Sequence, residues 1–433
     1  METINTFDAL VAGAGLSGLT AAYVMAKSGM KVAVVERGAH PGAKNVMGGV
    51  LYCQPTEQVF PEFAREAPLE RCIVQQNLWV LSETGALQTG VKNQAWNKQY
   101  PNGFTVLRAK FDKWLSQKVI EAGALIIPET NVTDVIMENN TVIGLRTDRE
   151  NGDLYAKMVI ASDGVHSLVA RKAGLKEEWK NNQLSLTVKE IIVLSRKQIE
   201  DRFHLTQDEG ATIECVGDAT NGLMGVAFIY TNKDTLSVGA GTLLSEMIRA
   251  RKNPNDLLEH FKTHPCIAPL LEGGKTHEYL AHLIPEGGYH AVPKVYKAGL
   301  LLTGDAAGLV NSFHREGSNL AIMSGKIAAE TALEACQRGD FSETFLSLYK
   351  KKLDESCIMK DLKKYANAGS FFEKRNHFFT LYPNTAVQSA TEWLTVDSVP
   401  KRLKQWKIIR SLVRIRPFFG LLSDGIGALR KML

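Results

Sequence analysis

The sequence predicts an α/β protein with a β-rich insert and a helical C-terminal region. Three observations predict it. The first forty residues hold an apolar run, a glycine-rich turn, a helix-spaced stretch and a second apolar run. Short strand-like runs occupy 130–161 and much of 176–293. After Cys336 the pattern becomes helical. A length of 433 residues, at about 150 per domain, suggests two or three domains. Apolar residues at 45% and charged residues at 22% are those of a soluble globular chain, which excludes a disordered, collagen-like or coiled-coil protein.

Phe7 to Ala12 is an apolar run expected to form a buried strand. Gly13-Ala14-Gly15-Leu16-Ser17-Gly18 follows, then Leu16, Leu19, Tyr23 and Ala26 at helical spacing, with the helix ending near Gly29. Val32 to Val35 is a second strand, closed by Glu36. Each element suits a dinucleotide. Gly13 permits the tight turn, Gly15 lets the backbone approach a pyrophosphate, and Gly18 lets the helix lie close on the strand. The free N–H groups at the helix start hold phosphate. Glu36 can accept hydrogen bonds from ribose hydroxyls, which points to FAD or NAD rather than NADP. The uncharged stretch Ala9 to Ala26 has nearly the length of a membrane span, but its glycines belong to this unit.

Val106 to Leu115 opens a helix expected to reach about Ala122. Thr130 to Glu138 and Thr141 to Asp148, joined by Asn139-Asn140, form a meander with Leu154 to Ala161. It runs into Ser162-Asp163-Gly164. Leu300 to Leu302 is a strand leading into Thr303-Gly304-Asp305-Ala306-Ala307-Gly308, and a further helix begins near Glu316-Gly317-Ser318-Asn319 and continues to about Cys336.

These motifs, in this order, resemble the glutathione-reductase-type FAD fold of the aromatic hydroxylases and geranylgeranyl reductases. More closely, nearly the whole chain is similar to the FixC family, flavoproteins related to electron-transfer flavoprotein–quinone oxidoreductase. The phrases that carry this are Glu36-Arg37-Gly38, Gly42-Ala43-Lys44-Asn45-Val46-Met47-Gly48-Gly49, Val188-Lys189-Glu190 and Gly222-Leu223-Met224-Gly225. To these are added Phe228-Ile229-Tyr230-Thr231-Asn232, Gly273-Gly274-Lys275, His282-Leu283-Ile284-Pro285-Glu286-Gly287-Gly288 and Gly304-Asp305-Ala306-Ala307-Gly308.

The resemblance implies FAD as cofactor and assigns residues to it. Gly13, Ala14, Gly15, Leu16, Ser17, Gly18, Glu36 and Arg37 form the first turn and the acid after the second strand. Asp305, after Gly304, would accept from a ribityl hydroxyl. Gly317, Ser318 and Asn319 would aim helix N–H groups at the flavin N1–C2=O edge, favouring the reduced anion. Arg108 would lie near the phosphates, and the backbone of Val132 would meet the adenine. Asp163 and Gly164 would brace the pyrophosphate turn, and the loop with Lys44, Gly48 and Gly49 would lie beside the isoalloxazine. No side chain is expected to act as a covalent catalyst, because the flavin carries the chemistry.

The implied activity is an FAD-dependent oxidoreductase relaying electrons from an electron-transfer flavoprotein to a quinone or ferredoxin-like acceptor. A flavin-dependent reductase of an isoprenoid or lipid double bond, or an aromatic-type FAD monooxygenase, stands as the alternative. Two departures bear on this. Asn311-Ser312-Phe313-His314-Arg315-Glu316-Gly317 differs from the usual FixC-like phrase at the flavin, and the four-cysteine iron–sulfur domain of the quinone oxidoreductases, which FixC-like proteins also lack, is not found. The six cysteines are widely spaced and are expected to be reduced thiols, with no metal site. His166 and His314 are lone histidines. Gly239-Ala240-Gly241 is expected to lie in a strand rather than to open a second dinucleotide site.

The expected organisation is an FAD domain over 1–175 and 294–337, a substrate cap domain over 176–293, and a helical region with a basic tail over 338–433. Residues 56–100 are a candidate addition to the cap. The net charge is +5, from 51 basic and 46 acidic residues. Residues 400–433 hold Lys401, Arg402, Lys404, Lys407, Arg410, Arg414, Arg416, Arg430 and Lys431 against Asp424 alone, so this tail carries +8 and the rest of the chain −3. Ile408, Leu412, Ile415 and Phe419 share a helical face opposite Lys407, Arg410 and Arg414, with Pro417 ending or kinking the helix. Such a tail can lie on an anionic membrane, dock on a protein partner or pack on its own core. No nucleic-acid partner is indicated. With no signal or transit pattern at the start, a cytoplasmic location is expected, with the inner membrane face as a peripheral site.

Overall fold

The computed structural model describes residues 6–44, 49–98 and 101–432. The chain divides into two compact units, each assembled from three separate segments. Unit 1 is Met1–Arg71, Pro101–Leu184 and His282–Lys364; unit 2 is Cys72–Tyr100, Ser185–Ala281 and Tyr365–Leu433. The helical stretch after Arg338 is thus shared: Glu343–Glu355 and Cys357–Lys364 belong to unit 1, the later helices to unit 2.

Unit 1 is built on a mostly parallel sheet. Its central strand is β1 (Thr6–Ala12), in which Ala9, Leu10, Val11 and Ala12 are fully buried, as a strand covered on both faces requires. Gly13 turns the chain at φ +96°, and α1 (Leu16–Lys27) returns it to β2 (Val32–Val35), which runs parallel to β1 with Ala12 opposite Val35. The helix α2 (Arg108–Glu121) leads to Leu125–Ile127, parallel to β2. On the other side of β1 lies β3 (Leu154–Ala161), with Ala161 opposite Ala12, and beyond it β4 (Leu300–Leu302), with Leu302 opposite Ala161. Val132–Glu138 and Thr141–Thr147 form an antiparallel ribbon that joins β3. Asn139 and Asn140, both at positive φ, make its tight turn. This is the expected meander. The parallel register brings the carboxyl ends of β1, β2, β3 and β4 to one edge of the sheet, where an α/β sheet binds its ligand.

The helix α3 (Ser318–Arg338) packs on α1 backbone to backbone. A Cβ on Gly325 would stand 2.3 Å from the Ser17 carbonyl oxygen. A Cβ on Gly18 would stand 2.0 Å from that of Gly13, so α1 also lies directly on the turn that starts it. Leu10, Leu19, Met25 and Phe111 fill the core. The buried Tyr349 hydroxyl donates to the Leu302 carbonyl at 2.8 Å, tying the helix Glu343–Glu355 to β4. The uncharged run Ala9–Ala26 is therefore strand, turn and helix. No helix among the described residues is long and apolar enough to cross a membrane.

Unit 2 is built on an antiparallel sheet in the order 275–281, Leu184–Val193, Thr235–Leu243, Gly225–Thr231, Glu209–Gly217 and Leu69–Leu81, with Ala86–Lys92 on Leu69–Leu81. One pairing is parallel: Glu209–Gly217 against Leu69–Leu81. Pro254–Thr263 is a helix. It is capped by the Asn253 side chain, has Pro254 in its first turn, and packs Leu257, Leu258 and Phe261 into the unit's core. The C-terminal helix Leu381–Leu394 docks where glycines leave room: Val387 meets Gly85 and Pro383 meets Gly217. All six cysteines are free thiols.

The tail forms α4 (Lys401–Ile415) and α5 (Phe418–Met432), divided at Arg416-Pro417. The predicted apolar face changes here. Ile408 and Leu412 are half-buried, whereas Ile415, the last residue of α4, is exposed, and so is Phe419, because extended Arg416 breaks the helical phase before it. Leu403, Trp406, Ile409 and Val413, a second stripe at helical spacing, are also exposed. The tail's one acid, Asp424, is buried. It accepts from Arg416 at 2.6 and 3.1 Å, from the Tyr382 hydroxyl at 2.5 Å and from His377 at 2.9 Å. These partners outweigh the effect of burial and hold its carboxyl at about 2.

Candidate functional site

The residues that follow the four strand ends meet in unit 1. Gly15, the N-cap of α1, is extended at φ −81° and ψ −178°, and a Cβ there would have no atom within 4 Å. No side chain caps α1 and no acid sits in its first turn. The first-turn N–H groups, at Leu16, Ser17 and Gly18, thus face open space at the positive end of the helix dipole. Ser17 is buried, with its Oγ 2.7 Å from the Cβ position of Gly304, which stands at φ +54°. The glycine at 304 is required both by its backbone conformation and by Ser17.

Glu36 accepts the Ala14 N–H at 2.9 Å and the Gly38 N–H at 2.6 Å, one on each carboxylate oxygen. Each oxygen keeps a further lone pair for a hydroxyl donor. The Thr130 N–H donates to the Glu36 carbonyl, and Glu129 to that of Gly38, both at 2.9 Å. These bonds bring the start of the ribbon, with half-buried Val132, alongside the acid. Arg108 is the first residue of α2 and is 7% exposed; its Nε and Nη2 bind both oxygens of the buried Asp112 at 2.7 and 2.8 Å. It is a fixed cation, unlike a solvated helix-start charge. Arg37 and Lys44 are exposed, Gly49 is buried and its carbonyl accepts from the Val106 N–H, and Gly48 lies outside the described residues.

Asp163 accepts the Val169 N–H at 3.0 Å through one oxygen, while the other is buried without a partner. Burial pushes this acid up to about 6. Gly164, at φ +69°, continues the turn, and Ser167 donates to the Ala306 carbonyl at 3.1 Å, fastening the Asp163 segment to the Gly304–Gly308 turn. Asp305 makes no side-chain hydrogen bond among the described residues. Its burial also raises it to about 6, against the pull of Arg108 and Lys176. It is an acceptor waiting for a donor. At the start of α3, a Cβ on Gly317 would meet nothing within 4 Å and the first turn has no acid. The Asn319 amide donates to Glu316 at 2.9 Å and leaves its oxygen buried and unpaired.

Two basic residues missing from the sequence reading join this group. His282 is pushed down to about 4 by burial, with Arg108, His166 and Arg37 adding to the effect. Of these groups Arg37 and Arg108 carry the positive charge, which helps to keep the two imidazoles neutral. Lys176 is pushed down to about 7 by burial, against Asp163 and Asp305. A lone histidine on a strand and a lysine in a charged loop carry no local signal of this. His166 is exposed, and burial with nearby Arg37 and Arg171 lowers it.

These features fit FAD. Open Gly15 and the uncapped α1 suit a pyrophosphate, Glu36 a ribose diol, donor-less Asp305 a ribityl hydroxyl, and uncapped α3 an electron-rich ring edge. Gly239 and Gly241 lie inside the strand Thr235–Leu243, where side chains would strike the Phe228 ring and Thr187, so these glycines serve close strand packing. No cluster of metal-ligating side chains occurs among the described residues.

The comparisons with known proteins agree. Residues 8–216 match the FAD dependent oxidoreductase family, and residues 368–433 match the ETF-QO/FixC family C-terminal domain. The chain is 44% identical over 421 residues to Protein FixC of Bradyrhizobium diazoefficiens, covering 96% of this chain and 97% of that one. It is 43% identical to Protein FixC of Azotobacter vinelandii, covering 96% and 97%. Protein FixC of Escherichia coli K12 is 39% identical, covering 98% of each. Among solved structures, a geranylgeranyl bacteriochlorophyll reductase-like protein from Thermoplasma acidophilum superposes with a TM-score of 0.75 at 22% identity, covering 98% of this chain and 99% of that one. A flavin-dependent brominase superposes with a TM-score of 0.67 at 15% identity, covering 95% and 100%. At these identities the structures speak for the fold alone.

Proposed function

Because the chain belongs to the FixC family of FAD-dependent oxidoreductases, we propose that it passes electrons from an electron-transfer flavoprotein to a quinone or a ferredoxin-like acceptor. The observation that carries this reading is the extent of the family match. It includes the C-terminal region shared with the quinone oxidoreductases as well as the FAD segments. FAD supplies the redox chemistry when bound. The protein's part is to hold and tune it. The first-turn N–H groups of α1 take the phosphate charge with the Arg37 and Arg108 guanidiniums, and the neutral imidazoles of His166 and His282 can donate hydrogen bonds beside them. Glu36 fixes the ribose, and the N–H groups at Gly317, Ser318 and Asn319 stabilise negative charge on the ring edge.

The tail supports a peripheral place on the inner face of the membrane. Trp406, Ile409, Val413, Phe418, Phe419, Leu422, Ile426 and Leu429 are exposed large apolar residues on two successive helices, of which α4 is rich in lysine and arginine and α5 ends in Arg430-Lys431. That combination suits an anionic lipid surface. The test of the relay is anaerobic. The FAD-loaded protein should be reduced by a reduced electron-transfer flavoprotein and reoxidised by a soluble quinone analogue or a ferredoxin. Oxidation of NADPH by the protein alone, stimulated by a phenol or by an unsaturated isoprenoid, would place it instead with the monooxygenases or double-bond reductases.

A further inference from the structure

Lys176 has no counterpart among the residues assigned to the cofactor, yet its surroundings are built around it. Its ammonium donates to the Ser167 hydroxyl at 3.3 Å and lies over the Trp179 ring. The Trp179 indole N–H is fixed to the Val165 carbonyl at 2.6 Å, and the far edge of its ring packs on Gly308, 3.0 Å from that residue's Cβ position. Gly308 stands at φ +70° and closes the turn that holds Asp305. The same Ser167 hydroxyl lies 3.1 Å from the Ala306 carbonyl. The lysine is thus fastened, through Ser167 and Trp179, to the residue after Asp305 and to the closing glycine of the turn that displays it.

We propose that Lys176 is a positioning residue for the cofactor, holding the Asp305 carboxylate ionised so that it accepts strongly from a hydroxyl of the FAD chain. The charged groups acting on Lys176 are Asp163, Arg171 and Asp305, and those acting on Asp305 are Arg108 and Lys176. Arg108 is already engaged by Asp112 on two of its nitrogens. The nearby Lys176 therefore supplies the adjustable part of the field. An ionised carboxylate makes a stronger bond to a hydroxyl than a neutral acid does. Burial alone would push Asp305 toward the neutral form at physiological pH, and a cation beside it opposes that shift.

The sign follows from the two titrations. In acid the lysine is charged and Asp305 is close to its own titration, so the lysine matters most. Above the lysine's titration near 7 the ammonium is lost while Asp305 is ionised in any case, so the lysine matters little. The proposal rests on Asp305 as an FAD ligand, and the experiment separates the two ideas. Apoprotein is titrated with FAD by flavin fluorescence between pH 6 and pH 9, for the native chain and for Lys176→Met, Lys176→Gln, Lys176→Arg and Asp305→Asn. Lys176→Met and Lys176→Gln should bind about 5-fold more weakly than native at pH 6 and within about 2-fold at pH 9, as for a carboxyl near 6 moved up by one unit. Lys176→Arg should follow the native curve in acid. A ratio that does not change with pH, or no weakening at pH 6, overturns the proposal. Native affinity in Asp305→Asn overturns the reading of Asp305 itself. If Lys176→Met does not fold, the near-isosteric Lys176→Gln decides.

Discussion

Replacing Gly15 with alanine should separate stability from cofactor binding, because the site confines the damage to the bound state. Gly15 has φ −81° and ψ −178°, a conformation any residue adopts, and its Cβ position has no neighbour within 4 Å. The apoprotein therefore loses no packing, and the reduced freedom of the unfolded chain stabilises it by about 0.4–1 kcal/mol. The empty space is where a phosphate must approach the N–H groups of α1. A methyl there holds the anion away and costs at least one charge-assisted hydrogen bond, about 1.5–3 kcal/mol, or roughly 10–150-fold in affinity. Gly18→Ala is the contrast, since its Cβ would meet the Gly13 carbonyl oxygen at 2.0 Å and must force α1 from its turn with or without cofactor. The assay pairs a thermal melt of apoprotein with an FAD titration. Native FAD affinity in Gly15→Ala, or an apoprotein melting point lowered as far as that of Gly18→Ala, would refute the argument.

Two further predictions concern the tail. Asp424→Asn should lower stability by about 2 kcal/mol at neutral pH, the linkage value for a carboxyl held near 2 against an ordinary 3.8. That contribution is present above the unfolded value and disappears as pH falls through about 2, so native and variant melting points should converge between about pH 5 and pH 2; a difference unchanged by acid would mean that shape rather than charge holds the knot. Phe418→Asp with Phe419→Asp, at 61% and 81% exposed side chains, should leave the fold and FAD content intact but abolish co-sedimentation with phosphatidylglycerol vesicles, and native binding should weaken as salt rises. Equal binding to neutral vesicles would show that charge takes no part.

What the sequence disclosed follows the range of the interactions involved. The first βαβ unit was legible because every requirement is local: Gly13 for its turn, Gly18 for contact five residues back, and Glu36 at the next strand's end. The Asn139-Asn140 meander was legible for the same reason. The membership of unit 2 was legible only in part: residues 56–100 stood as a candidate addition to the cap and 72–100 belong to the unit, but nothing local fixes their place. It depends on Glu209–Gly217 pairing in parallel with Leu69–Leu81, and such a ladder leaves no mark on either segment's neighbours. The predicted tail face failed at Phe419 because helical spacing was carried across Arg416, whose extended backbone resets the phase. Lys176 escaped because its burial is created by Trp179 and by a turn from the far end of the chain.

That unit 1 is threaded from three segments has a consequence for how the protein is made. On the ribosome, β1, α1 and β2 emerge first, but the strand on the other side of β1 ends only at Ala161, and the helix that covers α1 comes after Gly317. Until then Ala21, Ala22 and Met25, fully buried in the finished fold, have no α3 to cover them. The phosphate turn is translated early, yet Asp305 and the α3 start complete its far side only after about seven-tenths of the chain. Flavin loading must therefore be a late step. A nascent or truncated chain would present an adhesive half-site, which makes this segment a natural client for a holding chaperone during synthesis.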